Sequence, residues 1–101
     1  MKQEIWKYEL SDSGLMLGKH WQIVEIPKYF MFLDVQIQNN RICIWVRVDK
    51  DQAKERRKFM IYGTGVEITQ KESIGLHEYL GTVQLKGFEW HIFDGGLEAY
   101  A

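Results

Sequence analysis

Four absences narrow the reading of this 101-residue chain before any pattern is sought. It has one cysteine, Cys43, so an internal disulfide and a multi-cysteine metal site are both excluded. That usage fits a reducing compartment. It has one proline, Pro27, leaving most of the chain free to pair as strands. No apolar run approaches the ~20 residues that span a bilayer, and the start lacks an apolar stretch with a small-residue cleavage site. A cytosolic protein with no membrane partner is expected. Charge of one sign is also missing. Thirteen basic residues face 14 acidic ones, a formal net charge of −1, which argues against a general nucleic-acid binder.

What is present is core-forming material: 46% hydrophobic residues and 14% aromatic ones, enough for one modest core in a single domain, 1–101. Alternation is the dominant pattern. Trp6, Tyr8 and Leu10 oppose Ile5, Lys7 and Glu9 on a first strand. Ser11 to His20 is polar and glycine-bearing, a loop. Trp21 to Ile26 alternates weakly and stops at Pro27.

Two hairpins can be registered from the sequence. Asn39-Asn40 tolerates the positive φ of a two-residue turn. A turn there sets Gln38 opposite Arg41, Gln36 opposite Cys43 and Asp34 opposite Trp45, with Ile37–Ile42 and Val35–Ile44 on the other face. Leu33 is assigned to that apolar face. A slip of one residue would mix the faces. Lys86-Gly87 sets a second turn, pairing Leu85 with Phe88, Val83 with Trp90 and Gly81 with Ile92. Its other face pairs Gln84 with Glu89, Thr82 with His91 and Leu80 with Phe93. Asp49 to Arg56 reads as a solvated connection or one or two helical turns. Lys58 to Tyr62 is a strand with Phe59 and Ile61 inward, and Val66 to Ile68 is expected to resume it. Thr69 to Glu78 reads as a loop, and the tail from Asp94 carries no strong pattern. The expected fold is all-β: a small antiparallel sandwich or barrel of six or seven short strands with two tight hairpins.

The outward faces carry the candidate chemistry. Gln36, Trp45 and Arg47 lie on the first hairpin, Tyr62 on its strand, and Thr82 and His91 on the last hairpin. A plain solvent face prefers Lys, Glu and Thr, so this mixture suggests a second core layer, an oligomer interface or a ligand surface. Gly63-Thr64-Gly65 bares backbone amides as a phosphate-contacting loop does, but it lacks the lysine and length of a P-loop and reads equally as a tight turn. Arg57, within Arg56-Arg57-Lys58, offers bidentate contacts to phosphate or simply belongs to a solvated charge run. The spacing of His20, His77 and His91 suits no metal, and Cys43 is more naturally a filler than a nucleophile. No catalytic residue, metal or cofactor is assigned.

The segments Ile5-Trp6-Lys7-Tyr8, Val35-Gln36-Ile37-Gln38, Trp45 with Val48-Asp49, Arg57 through Tyr62-Gly63-Thr64-Gly65, Tyr79, Gly81-Thr82 and His91-Ile92-Phe93 together resemble a family of small phage- and prophage-encoded proteins of unassigned function. The resemblance covers Ile5 to Phe93. It implies a bacterial cytoplasm during infection and a role in binding rather than catalysis. By analogy with small phage proteins, the expectation is an anti-defence sponge. Such a protein sequesters a small anionic nucleotide-like signal as a homo-oligomer, with Gln36, Trp45, Arg47, Arg57, Tyr62, Gly63, Thr64, Gly65, Thr82 and His91 in contact with it. The alternatives are a protein–protein module that inhibits a host protein and an accessory structural phage protein.

Overall fold

The computed structural model describes residues 2–12, 14, 15 and 18–98. Seven strands form two antiparallel sheets. They are β1 (Gln3–Leu10), β2 (Trp21–Pro27), β3 (Met31–Gln38), β4 (Arg41–Asp49), β5 (Lys54–Gly63), β6 (Glu78–Leu85) and β7 (Phe88–Leu97), with one short helix, α1 (Gln70–Ile74), between β5 and β6. One sheet has the order β1-β4-β3 and the other β2-β5-β7-β6. The inner faces enclose the core: Leu10, Val35, Ile42, Ile44, Val46 and Val48 from the first sheet meet Val24, Ile26, Phe59, Ile61, Val83, Trp90 and Ile92 from the second. Both residues of each hairpin turn are left-handed, Asn39 and Asn40 at φ 54° and 60° and Lys86 and Gly87 at 54° and 79°. That twist matches the flanking strands. The expected registers hold from Asp34 to Trp45 in the first hairpin and from Gly81 to Ile92 in the second.

Beyond those limits, bulges change the pairing. In β3 the extra residue falls between Phe32 and Asp34. Phe32 therefore faces inward opposite Val46, and Leu33, expected in the apolar face, is 44% exposed. The Asp34 carboxylate holds the bulge by accepting from the Val35 amide at 2.8 Å and from Gln36 Nε2 at 2.6 Å. In β6 the shift between Tyr79 and Gly81 makes Tyr79, not Leu80, the partner of Phe93, and Leu80 turns to the core. Gly81 lets two unpaired edges approach: a Cβ there would lie 2.6 Å from Val35 Cγ1 of β3.

Three connections also differ from expectation. Lys54 to Arg56 already belong to β5, because they pair with Ile26, Pro27 and Glu25 of β2. Val66 to Ile68 do not resume a strand. Inside the supposed loop after Thr69, α1 forms on a capping box in which Thr69 and Glu72 each bond the other's backbone amide. The tail is ordered further than expected: β7 runs to Leu97, and Asp94 is buried. Residues 13, 16 and 17 of the Ser11–His20 loop, and 99–101 of the tail, lie outside the described residues. Among the described residues no helix is long and apolar enough to cross a membrane.

Candidate functional site

Alternation along β5 decides where each candidate residue goes. Arg57, Phe59, Ile61 and Gly63 face the inter-sheet space, while Lys58, Met60 and Tyr62 face outward. Arg57 thus enters the end of the sandwich. Its Nε and Nη2 donate to the two carboxylate oxygens of Asp94 at 3.1 and 2.9 Å, Nη1 donates to Glu55 at 3.3 Å, and the guanidinium lies 5.3 Å from the Phe30 ring centroid. The bond to Asp94 outweighs the opposing effect of burial and raises the Arg57 pKa above its ordinary value. Arg57 is committed to closing this end of the fold. The cleft around it holds Lys28 and Arg57 against Glu55, Glu78 and Asp94, so it does not favour an anion. Arg56, its neighbour, points the other way, toward Glu25 and Glu98.

The other candidates divide between two outer faces. Gln36, Trp45 and Arg47 lie on the three-stranded sheet, with Cys43 fully buried among them. On the four-stranded sheet Thr64, Thr82 and His91 come together. His91 Nε2 is 2.7 Å from Thr64 Oγ1, and Nδ1 is 3.0 Å from Thr82 Oγ1 and 3.1 Å from the Tyr79 hydroxyl. Both imidazole nitrogens are taken up by hydroxyls, and among the described residues no carboxylate bonds the ring, so the cluster fastens the 64–65 turn to β7 and β6. Cys43 and His91 lie on opposite outer faces and cannot act as a pair.

Tyr62 corrects the expectation of a stacking platform. It is 2% exposed. His20 stacks on its ring at 4.9 Å, Phe93 meets it edge-on at 6.2 Å, and its hydroxyl donates to Glu72 of α1 at 2.8 Å. Burial, reinforced by the adjoining Glu72 carboxylate, pushes the Tyr62 phenol well above its usual range. The same bond holds the Glu72 carboxyl below its own. Tyr62 is therefore the anchor of α1. Gly63 and Gly65 stand at the far end of β5 from Arg57, and Gly63 lies beside the Trp90 ring.

By anchoring α1 over the outer face, Tyr62 creates a cleft that the sequence did not disclose. It has a volume of about 350 Å³ and is lined by Trp21, Lys58, Met60, Lys71, Glu72 and two glycines. Trp21 at the start of β2 pairs with Met60 and is 46% exposed. Lys58 comes from β5 and Lys71 from α1. Lys19 adds a third ammonium, 5.8 Å from the Trp21 ring centroid. Gly95 keeps the floor open, since a Cβ there would lie 2.9 Å from Met60 Cγ. Among the described residues none of these three lysines makes an ion pair, whereas Glu72 is engaged by Tyr62 and Thr69. Three cations and one occupied carboxylate around an exposed indole suit an anion that carries a flat ring. The sequence signals were present but separate: an exposed-parity Trp at a strand start, Lys58 beside two arginines, and the Thr69-x-x-Glu72 capping box.

Among the described residues no group of His, Cys, Asp or Glu is placed to hold a metal ion. The fold and cleft define a small all-β protein with a cationic aromatic recess on one outer sheet face. The chain belongs to the family described as a domain of unknown function, DUF7352, whose pattern matches residues 1–99. No curated protein and no solved structure matches the chain.

Proposed function

We propose that this protein binds a small anionic, ring-bearing ligand of nucleotide type, without chemistry upon it, in the cleft between Trp21 and α1. The observation that carries the reading is the exposed Trp21 indole with Lys19, Lys58 and Lys71 around it, none of them ion-paired among the described residues. The base stacks on Trp21 and the phosphates meet the ammonium groups. Base–aromatic stacking contributes about 1–3 kcal/mol, and each ammonium adds a salt-sensitive increment. Both imidazole nitrogens of His91 are engaged by hydroxyls, which supports reading this outer face as one for binding. The resemblance to phage proteins supports a setting in which such binding sequesters a host's nucleotide signal.

The test is calorimetry with cyclic dinucleotides, cyclic trinucleotides and cyclic ADP-ribose. At least one should give saturable heat that weakens with salt. Trp21→Ala and Lys71→Glu should each reduce its affinity roughly tenfold or more. The control Lys28→Ala, in the Arg57 cleft, should not. Silence across the panel, or equal binding by all variants, defeats the proposal.

A further inference from the structure

The outer face of the three-stranded sheet is on the opposite side of the sandwich from the Trp21 cleft, and it is arranged in rungs by the strand registers. Ile5, Arg47 and Met31 form one rung, Lys7, Trp45 and Asp34 the next, and Glu9, Cys43 and Gln36 the third. Ile5 is 65% exposed and Met31 50%, and Trp45 is half-buried at the centre. Trp, Met and Arg are the residue types enriched at protein interfaces.

The order within each rung identifies the partner. We infer that two copies of this chain pack face to face through this sheet, about a twofold axis running along β4. Such an axis exchanges β1 with β3. Lys7 then meets Asp34 of the partner subunit, Ile5 meets Met31 of the partner subunit, and Glu9 meets Gln36 of the partner subunit. Trp45 lies on the axis and packs against its own copy. Each off-axis contact joins apolar to apolar or charge to a complementary group, and symmetry makes each twice. The other face-to-face twofold, running across the strands, would set Lys7 on Lys7 and Asp34 on Asp34, so the charges select one arrangement. Arg47 is drawn off the axis, its Nη2 lying 3.3 Å from Met31 Sδ. Three strands about 4.8 Å apart give a buried total on the order of 1,000 Å², the low end of specific interfaces, where reversible association is the rule.

Sedimentation velocity across the micromolar range tests this, using Lys7→Glu, Asp34→Lys and their equimolar mixture. The unaltered protein should dimerise reversibly. Each variant alone brings like charges together twice and should associate roughly tenfold more weakly or worse. In the mixture every such contact is again between opposite charges, so a mixed dimer should return to parental strength. Lys7 is exposed and among the described residues its side chain bonds only Gln38, so Lys7→Glu keeps the fold and decides the question even if Asp34→Lys disturbs its bulge. A parent protein that stays monomeric overturns the inference. So does a Lys7→Glu variant that dimerises as the parent does, or a mixture of two folded variants that fails to recover.

Discussion

Gly81→Ala places a methyl group where the two sheets come closest along one side of the sandwich. The new Cβ would sit 2.6 Å from Val35 Cγ1, about 1 Å inside ordinary contact distance. Val35 is 7% exposed and sits in the middle of β3, so it has no empty space to enter. Relief requires β3 and β6 to separate or Val35 to leave its rotamer. Overpacking of this kind costs about 1–3 kcal/mol, and the positive φ of Gly81, 156°, adds backbone strain for alanine that no change at Val35 relieves. Val35→Ala alone removes two buried carbons and costs about 2 kcal/mol. The double variant exchanges the lost methyls for the added one. Its loss should fall short of the sum of the single losses by about 1–2 kcal/mol, because neighbouring changes of opposite volume compensate. Guanidinium unfolding of the four proteins measures this cycle, and each kcal/mol should also move Tm by roughly 4–8 °C. If the two losses add to within about 0.5 kcal/mol, Gly81 and Val35 do not touch, and the closeness of β3 to β6 is wrong.

Three further outcomes are expected. Arg57→Met should cost about 2–4 kcal/mol, since it leaves the buried Asp94 and the half-buried Glu55 carboxylates without their shared cation, and a loss below about 0.5 kcal/mol in urea unfolding would show that the trio is solvated. Tyr62 has a folded pKa above its unfolded value, so its contribution is complete below about pH 10 and declines by about 1.4 kcal/mol per pH unit above it, as the unfolded chain ionises and the native phenol does not. Tyr62→Phe should therefore be less stable at neutral pH by about 1 kcal/mol yet show a shallower alkaline decline, and parallel stability curves between pH 9 and 12 would refute the assignment. Thr69→Ala removes the capping box of α1 at a cost of about 1 kcal/mol, confined to that turn, so hydrogen exchange should quicken at the Glu72 and Ser73 amides while those of β5 keep their protection.

The parts of the fold legible in the sequence were those governed by local rules. Asn39-Asn40 and Lys86-Gly87 name their turns, and each turn fixes its register for as many rungs as the alternation continues. The alternation fails at bulges, which the apolar pattern does not mark. Leu33 reads as an inward residue until the Asp34 carboxylate bonds the following amide, and Leu80 reads as the partner of Phe93 until β6 takes an extra residue before Gly81. The end of β7 was hidden for a different reason. Asp94-Gly95-Gly96 has no strand signature of its own, and it is held in place by Arg57, 37 residues earlier, through a contact that only the folded sheet creates.

The same distinction separates the arginines from the lysines as candidate anion sites. By residue type, arginine is the better phosphate ligand, and Arg57 stood out for that reason. What a cation can offer a ligand depends on the charge its neighbours have already neutralised. Arg57 donates to two carboxylates and supports a ring, so an entering phosphate would leave the buried Asp94 carboxylate with no cation and only the Gly96 amide as donor, at a cost of several kcal/mol. Among the described residues Lys58 and Lys71 make no ion pair; Glu72 beside them is bonded by Tyr62 and Thr69, and Glu98, whose carboxyl Lys58 also stabilises from a distance, is bonded by Arg56. A phosphate arriving there breaks no salt bridge of these two lysines. The buried Tyr62, the least suited of the expected contacts to touch a ligand, thus has the larger part in the proposed site: it positions α1 and pins the Glu72 carboxylate, which stays charged, so that one anion stands against three ammonium groups around Trp21.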